Sequence, residues 1–315
     1  MNKPRLPRML VTGANGFVMS NCIPVWLKLG YHIVALDRDL TPANVAVWQS
    51  IGAISFIHAG LNEEFNYKTL PTVDAVIHGA AVTSSPEFLN ITPEAHVIAN
   101  LQPALSLLEW GKETHVSRVI CISSSAVFSS TAGLVLEDQP ATPLGTYATA
   151  KAAIEAMTAT LKLQQGRDVL VVRLGNVYGL GELPTSTRNQ LSLIGNLLQS
   201  ASTHGTISAR QSQPDLAMRE WTFAPDIANA IHALLETPLL TYPLYNAAAG
   251  SLADYEQIAR AIEMVLPAVQ RLPHGMHPHL CRHGILSNAR LVADTGFNNW
   301  TTTENGIRLA LEYSL

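Results

Sequence analysis

Residues 9–16 read Met9-Leu-Val-Thr-Gly-Ala-Asn-Gly16, an apolar run that leads into a glycine-rich turn. Apolar and β-branched residues favour a buried strand, and glycine permits the positive φ that a tight turn requires. Backbone N–H groups at such a turn can approach a pyrophosphate at the N-terminus of the next helix, where the helix dipole favours an anion. Gly13 and Gly16 are therefore predicted to bind a dinucleotide; the alternative is that they only form a tight turn.

The order of strands and helices beyond this turn predicts the fold. Apolar, β-rich segments alternate with helical stretches through the first half of the chain. Strands are predicted over residues 9–12, 32–37, 54–58, 75–78, 118–123 and 169–174, and a further strand-like segment at 242–246 is available to return to the sheet. Several are almost continuously apolar, which is typical of parallel strands covered on both faces. The pattern predicts an α/β fold with a doubly wound parallel sheet, or Rossmann fold.

This alternation ends after Gly175, where the composition changes. Residues 181–221 are rich in Ser, Thr, Gln and Asn, and residues 267–284 concentrate Pro, Gly and His. A last helix is predicted to begin near Thr301, with Thr301-x-x-Glu304 as its capping box. We predict a dinucleotide-binding domain over 1–174 plus about 222–246, and a smaller, discontinuous C-terminal substrate lobe over about 175–221 and 247–315.

The bulk composition narrows the class of protein. Hydrophobic residues make up 47% of the chain and charged residues 14%, as in a compact protein with a large core. A formal net charge of −4 gives no electrostatic reason to expect nucleic acid or an anionic membrane as a partner. No run approaches the ~18 apolar residues that span a bilayer, and the basic start is interpreted as a lead-in to the first strand rather than a signal peptide.

The cysteines and histidines predict neither a disulfide framework nor a metal site. Three scattered cysteines without a Cys-x-x-Cys pair indicate a reducing compartment, so we predict a cytoplasmic location. His274, His277, His279 and His283 cluster, but no cysteine or carboxylate accompanies them at a familiar spacing. We interpret them as part of a polar loop that lines or covers the substrate cleft.

Tyr147 and Lys151 predict the chemistry. They stand four residues apart and share one face of a predicted helix, shortly after the serines Ser123, Ser124 and Ser125. The Lys151 ammonium is expected to lower the pKa of the Tyr147 phenol from about 10 toward neutrality. Tyr147 can then exchange a proton with a substrate hydroxyl, which Ser124 also bonds, while hydride passes to or from a nicotinamide. The alternative is a surface tyrosine and a solvated lysine at chance spacing.

Asp37 and Arg38 bear on which dinucleotide binds. Asp37 ends the second predicted strand, where its carboxylate can accept hydrogen bonds from an adenosine ribose, so NAD is predicted. Arg38 could offset that negative charge, and NADP is therefore kept as the alternative. Met19 occupies the third glycine position of the turn, where glycine usually allows close helix–strand packing. The helix is thus expected to sit further out, or the cofactor to bind differently.

Seven blocks of sequence between Leu10 and about Ala249 carry a family resemblance. They are Val11-Thr-Gly-Ala-Asn-Gly-Phe-Val18, Asp74-Ala-Val-Ile-His-Gly-Ala-Ala81, Val119–Phe128, Tyr147-x-x-x-Lys151, Arg173-Leu-Gly-Asn-Val-Tyr-Gly179, Arg219-Glu-Trp-Thr-Phe-Ala-Pro-Asp226 and Leu244-Tyr-Asn-Ala-Ala-Ala-Gly250. Together they resemble the extended short-chain dehydrogenase/reductase family, which includes NAD-dependent sugar epimerases, dehydratases and dehydrogenases. The resemblance implies that Ser124, Tyr147 and Lys151 are catalytic, with Ser125 as the alternative serine.

The same resemblance implies binding residues and an assembly. The cofactor residues would be Gly13, Asn15, Gly16, Phe17, Val18, Asp37, Arg38, Gly79, Ala80, Ala81, Asn100 and Lys151. The substrate residues would be Thr83, Ser125, Asn176, Arg219 and Arg282. Asn176 and Arg219 match positions that contact phosphates in nucleotide-sugar members, although Arg219 could equally form a structural ion pair. A homodimer is also implied, in which helices around 94–110 and 147–165 form a four-helix bundle.

One departure from the family pattern narrows the set of reactions that we expect. Dehydratases of the family carry an Asp-Glu pair just after the catalytic hydroxyl, whereas this chain has Ser125 and Ala126, so dehydration is not expected. The leading prediction is an NAD-dependent oxidoreductase or epimerase acting on a secondary hydroxyl of a sugar or nucleotide-sugar. The alternative is an NAD-dependent dehydrogenase of a small sugar acid or alcohol. A non-catalytic dinucleotide-binding sensor ranks below both.

Overall fold

The computed structural model describes residues 7–62, 64–130, 133–207, 218–272 and 284–314. The strands within these ranges are β1 (Arg8–Thr12), β2 (His32–Asp37), β3 (Ile54–His58), β4 (Ala75–His78), β5 (Arg118–Ser124), β6 (Leu134–Val135), β7 (Val169–Leu174), β8 (Asn176–Tyr178), β9 (Thr206–Ile207), β10 (Arg219–Phe223), β11 (Leu244–Ala247), β12 (Leu252–Ala253), β13 (Gln270–Arg271) and β14 (Ile285–Leu286). The main sheet has seven parallel strands in the order β11-β7-β5-β4-β1-β2-β3.

Helices cover both faces of this sheet, as the continuously apolar strands predicted. They are α1 (Phe17–Leu29), α2 (Pro42–Ile51), α3 (Pro86–Leu89), α4 (Pro93–Glu113), α5 (Thr146–Gln165), α6 (Leu193–His204), α7 (Ala224–Glu236), α8 (Tyr255–Val265), α9 (Ala289–Thr295) and α10 (Thr303–Ser314). One core cluster joins α1 and α7 to the sheet, and a second joins α4 and α5 to it. The predicted doubly wound α/β fold is confirmed.

The strand order reverses between β1 and β4, and this reversal positions the site. From β1 the chain moves outward to β2 and β3, and then returns to β4 on the other side of β1. Crossovers leave in opposite directions at such a point, so a crevice forms outside the carboxyl ends of the strands, where ligands of open α/β sheets bind. Thr12 and His78 end the two strands there and are paired in register.

A smaller group of strands and helices has its own sheet and its own apolar cluster. Strands β12, β10 and β8 form a small sheet, and α6, α8 and α10 share an apolar cluster with it that includes Tyr178, Trp221 and Phe223. The parallel pairing of β8 with β10 places Asn176 opposite Trp221. These segments, far apart in the sequence, provide the wall that faces the carboxyl edge of the main sheet. The division into two domains at the predicted boundaries stays a proposal.

The predicted cap of the last helix is wrong. The helix begins at Thr303, and it is the Thr302 hydroxyl that accepts a hydrogen bond from the Asn305 N–H, at 3.3 Å. Thr301 instead donates its N–H and its hydroxyl to the Asp226 carboxylate, at 2.6 and 3.0 Å. Thr301, which the local sequence predicted as the cap of the helix, is therefore bonded instead to Asp226, a residue distant in the sequence.

Met19 does not hold α1 away from the sheet. Its side chain is buried against the backbone of Gly79, where an added Cβ would lie 2.4 Å from the Met19 Cγ. A third glycine on the helix would leave room for close packing. Here Gly79, just after β4, leaves that room for the Met19 side chain. Helix and strand pack closely despite the methionine.

Helices α4 and α5, which the resemblance assigns to a dimer bundle, pack side by side on one face of the sheet. They leave Ile98, Met157 and Leu163 substantially exposed. A homodimer through this face stays a prediction. Within the described ranges, no helix combines the length and the apolarity that crossing a bilayer requires.

Candidate active site

The glycine turn adopts the conformation that its sequence predicted. Gly13 has a φ of 67°, and a Cβ there would lie 2.6 Å from the backbone of Ala80, so the turn packs directly on the segment after β4. The Gly16 N–H donates to the Gly13 carbonyl at 2.9 Å, and α1 begins at the next residue. The Asn15 N–H donates to the Asp37 carboxylate at 2.8 Å, which fixes the turn against the end of β2.

Two adjoining cavities of about 640 and 590 Å³ lie along the carboxyl edge of the sheet. They share Gly13, Gly16, Gly79, Ala81, Thr185 and Thr187 in their linings. Of the predicted site residues, the larger cavity also contacts Phe17, Val18, Thr83, Ser124, Tyr147, Lys151, Asn176 and Arg219, and the smaller contacts Asn15, Asp37, Arg38 and Ala80. The cavities together form a groove that runs from the end of β2 to the catalytic candidates.

Two of the predicted residues that the structure describes, Asn100 and Ser125, line neither cavity. Asn100 is buried in α4 and lines neither cavity; its amide accepts from the Val82 N–H at 2.9 Å and donates to the Val82 carbonyl at 3.0 Å. It therefore fixes the backbone beside the groove from behind. Ser125 begins a single turn of 3-10 helix and also lines neither cavity. Arg282 lies outside the described residues, as does the histidine cluster.

The catalytic candidates meet at one wall. Ser124 is the last residue of β5 and hydrogen-bonds the Tyr147 phenol in the first turn of α5. One turn later, the Lys151 Nζ is buried, donates to the Ile122 carbonyl at 2.8 Å and lies 5.7 Å from the centroid of the Tyr147 ring. A strand end and a helix start thus bring a hydroxyl, a phenol and an amine to the same end of the cavity.

The charge state of this wall differs from the sequence-based prediction. Burial raises the pKa of the Tyr147 phenol to about 12, although the bond with Ser124 and the positive charge of Arg188 act to lower it. Burial also lowers the pKa of Lys151 to about 8, against the raising effects of Cys121 and Glu155. The expectation that Lys151 brings the phenol pKa toward neutrality is wrong for this structure. The loss of solvent outweighs the nearby charges.

A buried ion pair holds this wall together. Glu155 lies one turn beyond Lys151, and its carboxylate accepts from the Ser123 hydroxyl at 2.6 Å and from the Arg173 Nη2 at 2.7 Å. Arg173 is 2% exposed, and β7, which carries it, pairs with β5. Glu155 therefore joins α5 to β7 through the ion pair and to β5, the strand that ends in Ser124, through Ser123; sequence reasoning did not assign this role to Glu155 or Arg173.

The opposite wall contains the substrate candidates. Asn176 and Arg219 line the larger cavity from β8 and β10, and the Asn176 amide donates to the Glu220 carbonyl at 3.0 Å. The Glu220 carboxylate is buried and accepts N–H bonds from Gly250 at 2.8 Å and Leu286 at 2.9 Å. Glu220 thus fixes three segments of the small lobe around the two candidates.

Arg188 is a site residue that sequence reasoning missed. Its guanidinium lies 5.0 Å from the centroid of the Phe17 ring and forms an ion pair with Glu182. Glu182 also accepts from the N–H and the hydroxyl of Ser192, each at 2.7 Å, so the arginine is held by a local network. The available signal was weak: Arg188 is the first basic residue after Arg173, within a polar stretch.

Metal-type side chains do not converge anywhere in the part of the chain that the structure describes: no group of three or more His, Cys, Asp or Glu could hold an ion there. His78, at the end of β4, is buried, and its Nδ1 bonds the Thr12 hydroxyl at 2.8 Å. Burial lowers its pKa to about 3, so it packs beside the groove as a neutral ring.

Known proteins are similar to this chain in sequence. A dTDP-4-dehydro-6-deoxy-D-allose reductase from Streptomyces sp. is 26% identical over 278 residues, which cover 84% of this chain and 82% of the relative. A UDP-glucuronate 4-epimerase from Thermodesulfobacterium geofontis is 29% identical over 185 residues, covering 54% of this chain and 56% of the relative.

Solved structures share the fold over nearly the whole chain. A UDP-N-acetylglucosamine 4-epimerase from Methanobrevibacter ruminantium, in complex with UDP-N-acetylmuramic acid, superimposes with a TM-score of 0.80 at 21% identity, covering 99% of both chains. A UDP-glucuronic acid 4-epimerase from Bacillus cereus, in complex with NAD, gives a TM-score of 0.78 at 21% identity, covering 97% of this chain and 98% of the other. The family model of NAD dependent epimerases and dehydratases matches residues 9–248. The chain therefore belongs to the NAD-dependent epimerase/dehydratase family of enzymes.

Proposed function

We propose that this enzyme is an NAD-dependent epimerase that acts on a secondary hydroxyl of a nucleotide-sugar. The observation that carries the proposal is the convergence of Ser124, Tyr147 and Lys151 on a cavity that shares its phosphate turn with a second cavity of about 590 Å³. The substrate class is supported by the names of the relatives, which include a dTDP-sugar reductase and a UDP-glucuronate 4-epimerase.

The groove fits a nicotinamide dinucleotide along its length. Gly13 and Gly16 leave the N-terminus of α1 open to both cavities, where backbone N–H groups and the helix dipole favour a pyrophosphate. Asp37 lines the cavity on one side of this turn and Lys151 lines the cavity on the other. When bound, the cofactor supplies hydride exchange with the sugar carbon. Asp37 would hold the adenosine ribose and Lys151 the nicotinamide ribose.

The catalytic wall would handle the proton of the sugar hydroxyl. With a pKa of about 12, Tyr147 is a phenol at neutral pH in this structure, and Ser124 shares a hydrogen bond with it. Removal of a substrate proton by Tyr147 requires positive charge beside its oxygen. Arg188 and the Lys151 amine are the cationic groups placed to provide it. Ser124 would orient the sugar oxygen as it gains carbonyl character.

The polar wall would bind the remainder of the substrate. Arg219 and Arg188 present two cations to the cavity, and guanidinium groups bind phosphate oxygens in bidentate geometry. Ser125 and Ala126 follow the catalytic hydroxyl, so no acid–base pair for water loss stands there. These contacts favour a nucleoside diphosphate sugar that exchanges hydride without dehydration.

The second candidate is a reductase of a nucleotide ketosugar. It is supported by the similarity to dTDP-4-dehydro-6-deoxy-D-allose reductase, which covers 84% of this chain. The same triad serves both reactions, because each half-reaction of the epimerase, like the single reduction step, transfers one hydride and one proton between the sugar and the site. They differ in whether the reduced cofactor is consumed.

A substrate panel separates the candidates. The purified protein, supplied with NAD, would be incubated with UDP-glucose, UDP-glucuronate, dTDP-glucose and a set of small sugar acids and alcohols, with product analysis and NADH absorbance followed in parallel. A separate reaction contains NADH and a 4-keto nucleotide-sugar. Epimeric product without net NADH supports the epimerase. Stoichiometric oxidation of added NADH by a 4-keto nucleotide-sugar supports the reductase. Turnover confined to small sugar acids or alcohols, or no binding of NAD at all, would contradict the proposal.

A further inference from the structure

Residues 183–190 cross the groove at the point where its two cavities meet. Thr185 and Thr187 line both cavities, together with the glycines of the phosphate turn. The segment closes on itself in a tight turn, since the Thr185 N–H donates to the Arg188 carbonyl at 2.8 Å and the Arg188 N–H donates back at 3.2 Å. A dinucleotide that fills both cavities must therefore pass beneath this turn, which we call the strap.

One end of the strap is fixed to the segment after β4. The N–H groups of Thr83 and Ser84 both donate to the Thr187 carbonyl at 2.8 Å. The Asn189 N–H donates to the Ser84 hydroxyl at 3.0 Å. Ser84 is 2% exposed and lines neither cavity, so its hydroxyl anchors the strap without contact with the groove.

The residue before Thr187, Ser186, contacts Arg38, which lines the smaller cavity beside Asp37. The Arg38 Nη2 donates to the Ser186 hydroxyl at 2.5 Å, and its Nε and Nη2 donate to the Asp39 carboxylate at 3.0 and 2.8 Å. Arg38, Asp37 and Asp39 all line the smaller cavity, whereas Ser186 does not. The guanidinium that sequence reasoning offered to a 2′-phosphate is thus bonded to the strap and to a neighbouring carboxylate.

We propose that residues 183–190 form a strap that closes over the pyrophosphate of the cofactor and, by holding Arg38 through Ser186, selects NAD against NADP. The inference rests on the proposed function, since it takes a nicotinamide dinucleotide as the ligand of the groove. A 2′-phosphate would meet the carboxylates of Asp37 and Asp39, and it could recruit Arg38 only by releasing the strap. NAD has no 2′-phosphate, so it binds with the strap closed and with Arg38 still bonded to Ser186.

Closure of the strap also controls when the cofactor can leave the groove. Because Thr185 and Thr187 lie over the phosphate turn, cofactor exchange requires the strap to open. A cofactor that stays bound between two half-reactions can return its hydride to the same sugar, which an epimerase requires. The strap therefore makes Ser186 a residue that determines cofactor choice, and Ser84 a residue that determines cofactor release.

The test compares Ser186→Ala with Ser84→Ala, and with the wild type, in the absence of sugar. Both remove a hydroxyl that lines neither cavity; because Ser84 is buried whereas Ser186 is exposed, the Tm of each variant is measured first to establish that it folds. Equilibrium titration gives the Kd of NAD and of NADP, and a stopped-flow chase gives the dissociation rate of NAD. A hydrogen bond of this kind corresponds to roughly a 3- to 10-fold change in an equilibrium or rate constant.

Ser186→Ala is expected to release NAD 3- to 10-fold faster and to lower the ratio of the NADP Kd to the NAD Kd by a similar factor, about one net hydrogen bond. Ser84→Ala should speed NAD release by about the same factor while it leaves that ratio unchanged, because Arg38 keeps its partners. A ratio unchanged in Ser186→Ala overturns the proposal, as does an unchanged release rate in Ser84→Ala. If wild-type protein binds no NAD, the proposed function itself fails, which this design distinguishes from failure of the strap.

Discussion

The two walls of the larger cavity are built in different ways. On one wall, Ser124, Tyr147 and Lys151 sit at a strand end and in the first turns of a helix, so regular hydrogen bonding fixes their spacing. On the other, Asn176 and Arg219 lie on strands that Glu220 joins to segments far apart in the chain, whereas Arg188 is held by the nearby Glu182. The catalytic candidates are thus positioned by local structure, whereas Asn176 and Arg219 depend on contacts between distant segments.

The walls also differ in exposure. Lys151, Glu155 and Arg173 are nearly or fully buried, and Glu155 links the catalytic helix to two strands. By contrast, the Arg188 side chain is 27% exposed and the strap residues before it lie at the surface. Changes on the buried wall should therefore affect the chemical step, and changes on the exposed wall should affect binding.

The largest effect is expected from Tyr147→Phe, which tests the buried wall. Removal of the phenolic oxygen takes away the group proposed to exchange the proton, so kcat should fall by about 10²- to 10⁴-fold. Because the aromatic ring remains in place, the Kd of NAD should stay within about twofold of the wild-type value. This change is smaller than the loss of one net hydrogen bond would produce. Steady-state kinetics and NAD titration check both values. Turnover at the wild-type rate would remove Tyr147 from the mechanism.

The next effect tests the polar wall through Arg219→Gln. If Arg219 binds a substrate phosphate, the KM for a nucleotide-sugar should rise by about 10- to 100-fold, which corresponds to one charge-assisted hydrogen bond. NAD affinity should be unchanged. Arg308→Gln is the matched control, since it removes the same charge from an exposed i,i+4 pair on α10. A lowered Tm with an unchanged KM would show instead that Arg219 forms a structural ion pair.

Lys151→Met tests the electrostatic cost of the buried wall. The pKa of Lys151 falls from 10.5 to about 8 because the folded chain disfavours the buried ammonium. Between these two pH values the unfolded chain binds more protons, so wild-type stability should rise with pH; the penalty is full below about pH 8 and absent above 10.5. The rise should amount to roughly 3 kcal/mol and be missing in Lys151→Met.

Denaturant unfolding of the NAD-free protein across this pH range gives the measurement. The difference between the wild type and Lys151→Met removes the contributions of other titrating groups. Parallel curves for the two proteins would mean that the lysine does not carry the predicted penalty.

The smallest effect concerns the contact between Met19 and Gly79, which lines both cavities. A Cβ at Gly79 would lie 2.4 Å from the Met19 Cγ, so Gly79→Ala should destabilise the protein by about 1–3 kcal/mol. Met19→Ala should then cost about 1–2 kcal/mol less in the Gly79→Ala background than in the wild type, because it relieves the clash. Thermal unfolding of the four proteins measures this coupling. Additive effects would show that the two residues do not compete for the same space.

Much of the fold could be predicted because its signals are local. The six predicted strands of the first half are confirmed, with β1 beginning one residue earlier and β5 ending one residue later, and β11 joins the sheet as anticipated. Continuously apolar segments bounded by turns leave few other ways to bury that surface. The cap at Thr301 failed for the opposite reason, since Asp226, distant in sequence, takes its hydrogen bonds.

The candidate site divides in the same way. Spacing along one helix predicted that Tyr147 and Lys151 share a face, and the structure places both on one cavity. Their pKa values could not be predicted from that spacing, because desolvation depends on every segment packed around them. Arg188 and the bond from Arg38 to Ser186 were not anticipated, since no periodicity links residues 38 and 186.

The sequence by itself determined the parallel sheet, the glycine turn at residues 13–16 and the spacing of the catalytic candidates, because strand burial, positive φ and helical spacing are properties of neighbouring residues. Tertiary structure alone decided the charge states of Tyr147 and Lys151, the compensation of Met19 by Gly79 and the path of the strap over the groove. Each of these depends on solvent exclusion or on contacts between distant segments, and such contacts exist only once the sheet has brought those segments together.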